Sequence, residues 1–435
     1  MSNNDKKCAF QGLPHTNNWE SLNQTAKIAE KTVANRITYQ PMEGCDGEAD
    51  GTPSELTLRR YERFASGGAG IIWLEATAVV DEGRANPRQL FLNDRTLDAF
   101  QRLCRQIKET AMKSHGYEPF IVVQLTQSGR YSKPNGTPAP LIAHHDPNLE
   151  KAAPIADERM VSDAYLERVR DKMVYGAELV QRAGFDAADI KCCHRYLFSE
   201  LLSAYDRPGP YGGSYENRTR ILRESIQGAR QVCDSSFVIA SRMNIYDGYA
   251  YPYGFGASPE GGLEPDFTEP IRLAQELVDS GVGLLNFTMG NPYDNPHVNR
   301  PFRNGPYIPP EDPMQDVARL LRGGKTVANA LHGSVTTVCS GFSFLGASAA
   351  DVAAACIADG WFDCAGFGRQ AFSYPNFAAD VCLHKKIDPK QLCVACSKCT
   401  ELMRAGGKTG CVLHDREIYL PMYRSVVQNK QEASV

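Results

Sequence analysis

A chain of 435 residues with 42% hydrophobic and 23% charged residues has the composition of a globular protein able to bury a large core. Its formal net charge of −4 offers no basic stripe for nucleic acid. No apolar stretch is long enough to cross a bilayer, and the opening Met1-Ser-Asn-Asn-Asp-Lys-Lys lacks the apolar heart of a signal peptide. Nucleic acid and membrane are thus excluded as expected partners, and a cytoplasmic location is expected.

A polar leader over residues 1–34 precedes short β-rich runs that alternate with longer helical patterns. The predicted strands are Arg36–Pro41, Ala69–Glu75, Phe120–Gln124, Ala187–Lys191, Phe237–Met243, Leu284–Thr288, Val335–Ser340 and Phe362–Gly366. Between them, apolar residues at three- and four-residue spacing predict helices over Pro53–Ala65, Leu97–Ser114, Val161–Ala183, Tyr215–Val232 and Phe267–Ser280, with an Ala-rich helix over Ser348–Ala358. Eight strands in βα alternation predict a closed (β/α)8 TIM barrel, here over residues 35–385, with a C-terminal extension over 386–435 that ends in a fraying polar tail. Two long insertions, Tyr131–Asp157 and Gly290–Pro313, follow strand C-terminal ends, where a barrel carries its active site. No Gly-x-Gly-x-x-Gly dinucleotide fingerprint follows a strand.

In the extension the run Cys393-Val-Ala-Cys396-Ser-Lys-Cys399 is joined, after eleven residues, by Cys411. Three cysteines at this spacing can wrap three corners of an iron–sulfur cube, and a fourth on a returning loop can close the last, which points to electron transfer. Structural zinc is the alternative, although zinc ribbons usually bring two separated Cys-x2-Cys pairs. The remaining cysteines are scattered through apolar segments and read as reduced, buried thiols, while adjacent Cys192 and Cys193 read as packing residues or pocket lining.

The fourth predicted strand runs into Asp189-Ile-Lys-Cys-Cys-His194-Arg195-Tyr196, followed by Tyr211-Gly-Gly-Ser-Tyr-Glu-Asn217-Arg218. Over roughly residues 30–415 the chain resembles the Old Yellow Enzyme group of flavin oxidoreductases. The cysteine run narrows the resemblance to the iron–sulfur branch that contains 2,4-dienoyl-CoA reductase and trimethylamine dehydrogenase. The resemblance implies FMN at the barrel mouth and a [4Fe–4S] cluster beside it on Cys393, Cys396, Cys399 and Cys411. It also implies flavin contacts from Gln124 and Arg242, to which Ala76 is added. An amide pairs with the pyrimidine edge, and a fixed guanidinium stabilises negative charge on the reduced ring. The phosphate is expected at Ser340-Gly341-Phe-Ser and Gly366-Phe-Gly368-Arg369, where glycine permits close backbone approach and Arg369 adds charge.

Tyr196 falls where the family places a proton donor, and a phenol is neutral at pH 7 and able to give a proton. Lys191 and His194 occupy the substrate-carbonyl positions. Lys191 departs from the usual histidine or asparagine, and it reads as stabilising a developing enolate, binding a substrate carboxylate, or pairing with a nearby acid. Glu43 matches the position near the reactive edge of the flavin, unless the register slips to Gly44. Cys45 lies two residues beyond the position of trimethylamine dehydrogenase's flavin-linking cysteine, which argues against a covalent link. His297, in the second insertion, is a candidate second acid or a solvated loop histidine.

The function implied is an ene-reductase that reduces the C=C bond of an α,β-unsaturated carbonyl compound. The alternative is an amine dehydrogenase passing electrons out through the cluster, which the Lys191 cation disfavours. A third reading is an electron-carrying subunit that retains the barrel. The chain is expected to end before an FAD and nicotinamide domain, so that electrons come from ferredoxin, a partner subunit or NAD(P)H. A homo-oligomer is the expected assembly.

Overall fold

A computed structural model describes residues 11–428; the start of the leader, with Met1 and Cys8, and the fraying end expected of the tail lie outside the described residues. Eight parallel strands close a barrel: β1 Ile37–Tyr39, β2 Ile71–Ala78, β3 Phe120–Thr126, β4 Ala187–Ile190, β5 Val238–Tyr246, β6 Val282–Met289, β7 Thr336–Ser340 and β8 Cys364–Phe367. Each strand pairs with the next, and β8 pairs with β1. All eight predicted strands are present. The helices α1 Glu55–Ala65, α2 Leu97–His115, α3 Asp163–Arg182, α4 Arg220–Val232, α5 Thr268–Asp279, α6 Pro313–Ala330, α7 Ala349–Ala358 and α8 Phe377–Cys382 complete the (β/α)8 architecture.

Three segments differ from the sequence-based expectation. The leader holds a hairpin, Ala26–Ile28 paired antiparallel with Lys31–Val33, which stoppers the N-terminal end of the barrel. Its Ala26, Ile28 and Val33 join Ile71, Phe120 and Val238 in one buried cluster inside the barrel. Three-residue strands interrupted by lysines are too short for alternation to stand out from a polar stretch.

Helix α6 was not among the predicted helices, and it carries the pair Gly323 and Gly324 in its interior. Here they let the helix approach the sheet: a Cβ on Gly324 would meet Cys339 Sγ at 2.3 Å, and one on Gly323 would meet Met289 Cε at 2.1 Å. Third, the extension continues as α9 Lys398–Arg404 and α10 Arg416–Tyr423 rather than fraying directly after Cys411. Tyr419, Tyr423 and Val427 are buried with Leu402 and Val412 in a small separate core. No helix of the described residues is long and apolar enough to cross a membrane.

Candidate active site

Alternation along a strand sends every second side chain into the barrel. Near the C-terminal ends this inward layer is polar: Gln40, Gln124, Asp189, Arg242 and Asn286. Asp189 is its hub. Its carboxylate accepts from Trp73 Nε1 at 2.8 Å, Gln124 Nε2 at 2.7 Å and the Arg242 backbone N–H at 2.7 Å. A carboxylate only accepts, so the Gln124 amide nitrogen must face it, and the Gln124 carbonyl is left for the cleft. Above this layer opens a cleft of about 1090 Å³, whose lining includes Gln40, Glu43, Ala76, Gln124, Lys191, His194, Arg242, Arg300, Gly341, Gly368 and Arg369.

At one end the cleft is built for an anion. Arg300 Nη1 and Nη2 and Arg369 Nη1 are buried with no partner, while Arg369 Nη2 donates to Pro301 O at 2.7 Å. Burial, with Arg369 beside it, pulls the Arg300 guanidinium below its ordinary range. Two unpaired buried cations call for a bound anion. Gly341, at φ +130°, adopts a conformation suited to glycine, and a Cβ on Gly366 would strike Gln40 Nε2 at 2.0 Å. Arg242 Nε is likewise buried without a partner, and the Arg242 charge acts on His194 and Lys191. A flavin mononucleotide fits these groups: orphaned guanidiniums for the phosphate, and the Gln124 carbonyl with the Arg242 cation for the pyrimidine edge.

At the other end, His194 and Arg195 both take left-handed backbone conformations, φ +67° and +58°. Such conformations are costly in non-glycine residues and cluster at functional sites. Here they turn Lys191, His194 and Tyr196 to the cleft while Arg195 goes into the protein to Asp146 and Asp247. Lys191 Nζ sits 3.7 Å from the Tyr196 ring centroid, and burial lowers its pKa. Burial, then the Arg242 and Lys191 charges, hold His194 well below the usual histidine range. Its imidazole is therefore neutral at pH 7.

Asn299 Nδ2, whose identity as the donor is fixed by Met289 O at 3.0 Å, lies 3.1 Å from His194 Nε2. Nε2 is thus the acceptor and Nδ1 carries the proton. The Tyr196 hydroxyl donates to Glu43 Oε1 at 2.8 Å and meets Tyr293 O–H at 2.7 Å. Having one proton already directed to Glu43, Tyr196 accepts from Tyr293. Burial, then Glu43, push the Tyr196 phenol well up, so it stays protonated. Tyr293 stacks on Tyr131 with centroids 3.9 Å apart.

The extension forms the rest of the wall through Cys399, Thr400, Met403 and Thr409. Beneath it a second cavity, of about 360 Å³, is lined by Cys393, Cys396, Cys399 and Cys411, and shares Cys399 and Arg369 with the cleft. Among the described residues, no three of these thiols have sulfurs within 4.8 Å of one another.

Of the sequence-predicted residues, Glu43, Ala76, Gln124, Lys191, His194, Tyr196, Arg242, Gly341, Gly368 and Arg369 all line the cleft, and the four cysteines line the cavity. Glu43 lines the cleft, and the Gly44 N–H is taken by Glu75 Oε2 at 2.7 Å. Cys45 is buried away from the cleft, and Cys192 and Cys193 are packing residues. His297 is the exception. Its Nδ1 is 2.6 Å from Tyr307 O–H on its own loop, and it does not line the cleft as a second acid.

The insertion contributes Tyr293, Asn299 and Arg300 instead, which sequence reading left without roles. The only signal was an aromatic and an arginine on a loop at a strand end. The Tyr-Gly-Gly-Ser motif itself lies outside the cleft. Its Arg218 is buried over the Tyr205 ring and paired with Glu269 at 2.6 Å, bracing the segment after β4.

The model of the NADH:flavin oxidoreductase / NADH oxidase family matches residues 21–255, more than half of the chain, and the chain belongs to that family. It is an oxidoreductase of the Old Yellow Enzyme type. The NADPH dehydrogenase of Bacillus cytotoxicus is 30% identical over 271 residues, covering 60% of this chain and 70% of that one. The NADPH dehydrogenase of Bacillus licheniformis is 34% identical over 266 residues, with the same coverage. Among solved structures, a 2-naphthoyl-CoA reductase in complex with 2-naphthoyl-CoA shares the fold with a TM-score of 0.73 and 19% identity, covering 92% of this chain and 57% of that one. Histamine dehydrogenase from Rhizobium sp. 4-9 gives 0.69 and 18%, covering 91% and 52%. The chain thus spans little more than half the length of these two structures. A morphinone reductase variant, in complex with tetrahydroNAD, gives 0.60 and 18% with 85% and 93% covered.

Proposed function

We propose that this chain is an FMN- and [4Fe–4S]-dependent ene-reductase that reduces the C=C bond of an α,β-unsaturated carbonyl compound. The observation that carries the reading is a neutral phenol, a neutral imidazole with Nδ1–H free, and a buried ammonium gathered beside the flavin-binding edge. When bound, FMN supplies the hydride. Gln124 and Arg242 would orient its pyrimidine and offset negative charge there, and Arg300 and Arg369 would hold its phosphate. Lys191 and His194 Nδ1–H bind the substrate carbonyl oxygen and stabilise the negative charge that develops there. Tyr196 turns its proton from Glu43 to the substrate α-carbon, and the Tyr293 hydroxyl, already donating to Tyr196, supports the phenolate left behind.

The cysteine spacing supports a cluster over zinc. A tetrahedral zinc ion with Zn–S near 2.3 Å would draw its sulfurs to about 3.8 Å from one another. A four-iron cube holds them farther apart. Cys399, common to cavity and cleft, would bring the cluster to the wall of the flavin site, so that electrons from ferredoxin, a partner subunit or NAD(P)H can pass between them. Unpaired cysteines throughout the described residues suit a reducing cytoplasm.

A second reading, amine oxidation, draws on the tyrosines Tyr131, Tyr196 and Tyr293, whose faces could hold an alkylammonium. Lys191 already covers the Tyr196 face, and a second cation there would be repelled. Anaerobic stopped-flow absorbance separates the two. Photoreduced protein is mixed with enones, enoates, enoyl thioesters and steroids, and oxidised protein with alkylamines. Rapid flavin reoxidation by an unsaturated carbonyl compound is expected; flavin reduction by an amine would reverse the assignment.

A further inference from the structure

His297 leaves the cleft for a place with its own chemistry. Where the second insertion meets the start of α6, His297, Glu311 and Asp316 each bring one ligand atom into a group whose members all lie within 4.8 Å of one another. Asp316, on the first turn of α6, is fully buried, yet its Oδ2 has no partner. Its Oδ1 accepts from Arg319 Nη1 at 3.0 Å, and Glu311 Oε1 accepts from Arg319 Nη2. One guanidinium thus holds one oxygen of each carboxylate. His297 Nδ1 is engaged with Tyr307 O–H, which leaves Nε2. A metal-binding histidine is ordinarily fixed in this way by a partner on its other nitrogen.

We propose that His297, Glu311 and Asp316 form a divalent-cation site that ties the insertion over the cleft to α6. One imidazole and two carboxylates suit zinc or manganese. Contraction from within 4.8 Å to the roughly 3.4 Å between ligands of a tetrahedral zinc ion, with metal–ligand bonds near 2.1 Å, is a rotamer-scale change. Two carboxylates against one guanidinium leave a net negative charge for the cation to neutralise. Without a cation, a proton is the competing occupant, because burial and the adjacent Glu311 push the Asp316 carboxyl up to about 8. Asp294, near His297, is the remaining acid of the loop acting on this histidine.

The site is linked to the cleft through the short helix Pro296–Asn299. His297 lies on it, two residues before the Asn299 that fixes the His194 tautomer and three before Arg300 of the anion end. A cation held by His297 anchors the segment that sets both.

The test uses the intact flavin- and cluster-loaded protein, kept anaerobic, stripped with EDTA and desalted. Mn2+ is titrated with the free ion followed by EPR, and Zn2+ by calorimetry. One ion per chain is expected, with binding weakened at least tenfold in Asp316→Asn and His297→Gln, and about tenfold in Tyr307→Phe, which removes only the histidine's outer partner. Flavin and cluster absorbance verify that each variant is folded, and Asp50→Asn, at an exposed acid elsewhere, serves as control. Equal binding to wild type and Asp316→Asn, or no binding of either ion, would overturn the site and leave the proton as its occupant. The readout is metal affinity, so the result is independent of which substrate the cleft accepts.

Discussion

The flavin cleft and the cysteine cavity share Cys399 and Arg369, yet they are held in opposite ways. Gln124 and Arg242 stand on strands whose ladder fixes their height, and Asp189 ties its own strand to three others through Trp73, Gln124 and Arg242. Cys393 and Cys396 stand on a loop that reverses through two left-handed residues, Ala395 and Ser397, and that docks by scattered bonds such as Arg303 N–H to Ala395 O, while Cys399 lies on α9 and Cys411 beyond it. The first site is pre-organised by the fold. The second, on the proposed reading, would be completed by its cluster, whose binding energy would become folding energy for the segment around it.

If that contrast is right, the two sites come apart by mutation. The largest effect is expected from Cys396→Ser, which should abolish cluster iron and the associated visible absorbance. FMN content and reoxidation of photoreduced flavin by an enone should persist. Iron analysis and flavin quantitation on the same sample check this, and loss of FMN together with iron would mean that the sites are one cooperative unit. Next, Tyr196→Phe removes the proton donor and leaves the ring under Lys191. Stopped-flow reoxidation by substrate should slow by about 10²–10⁴-fold, the usual range for general acid catalysis, with the flavin spectrum unchanged. An unaltered rate would move the proton to Glu43 or solvent.

Arg300→Met probes the anion end. Losing a charge-assisted hydrogen bond worth about 1.5–3 kcal/mol should weaken FMN affinity roughly 10–150-fold, measured by flavin fluorescence on reconstitution. Cluster iron should be retained. Loss of iron with FMN would show that the shared wall at Arg369 couples the sites more tightly than their separate construction implies.

The same contrast explains what could be read from the sequence. The strands were legible because each is a short apolar run ended by a turn, and the family resemblance then gave roles to residues at or just beyond their C-terminal ends. Gln124, Lys191, His194, Tyr196 and Arg242 are all of this kind. The cysteines were legible by spacing alone, without knowing the loop's path. Tyr293, Asn299 and Arg300 were not, because an insertion has no register, and nothing in the order of residues says which of its side chains returns to the cleft. For the same reason the sequence leaves His297 open between a second acid and a loop histidine. The hairpin over Ala26–Val33 and helix α6 were hidden by local composition, since lysines and a Gly-Gly pair are interpretable only against the surfaces they meet.

The smallest effect concerns Lys191, and it tests how far pre-organisation reaches. Burial lowers the Lys191 pKa below that of free lysine, so this ammonium loses its proton at a lower pH than an exposed one. Tyr196 is shifted the other way, and His194 is already neutral at pH 7, so neither gives up a proton in the same window. An alkaline decline in kcat/KM for an enone, with an apparent pKa below about 10.4, therefore belongs to Lys191. In Lys191→Met the decline should disappear, and the rate at neutral pH should fall by about tenfold as one of two carbonyl partners is lost. Persistence of the alkaline limb in that variant would assign it to another group and make Lys191 a packing partner of the Tyr196 ring. Loss of the limb with an unchanged neutral rate would leave the lysine as a binding site for a substrate carboxylate, to be read in KM against kcat when an enoate replaces the enone.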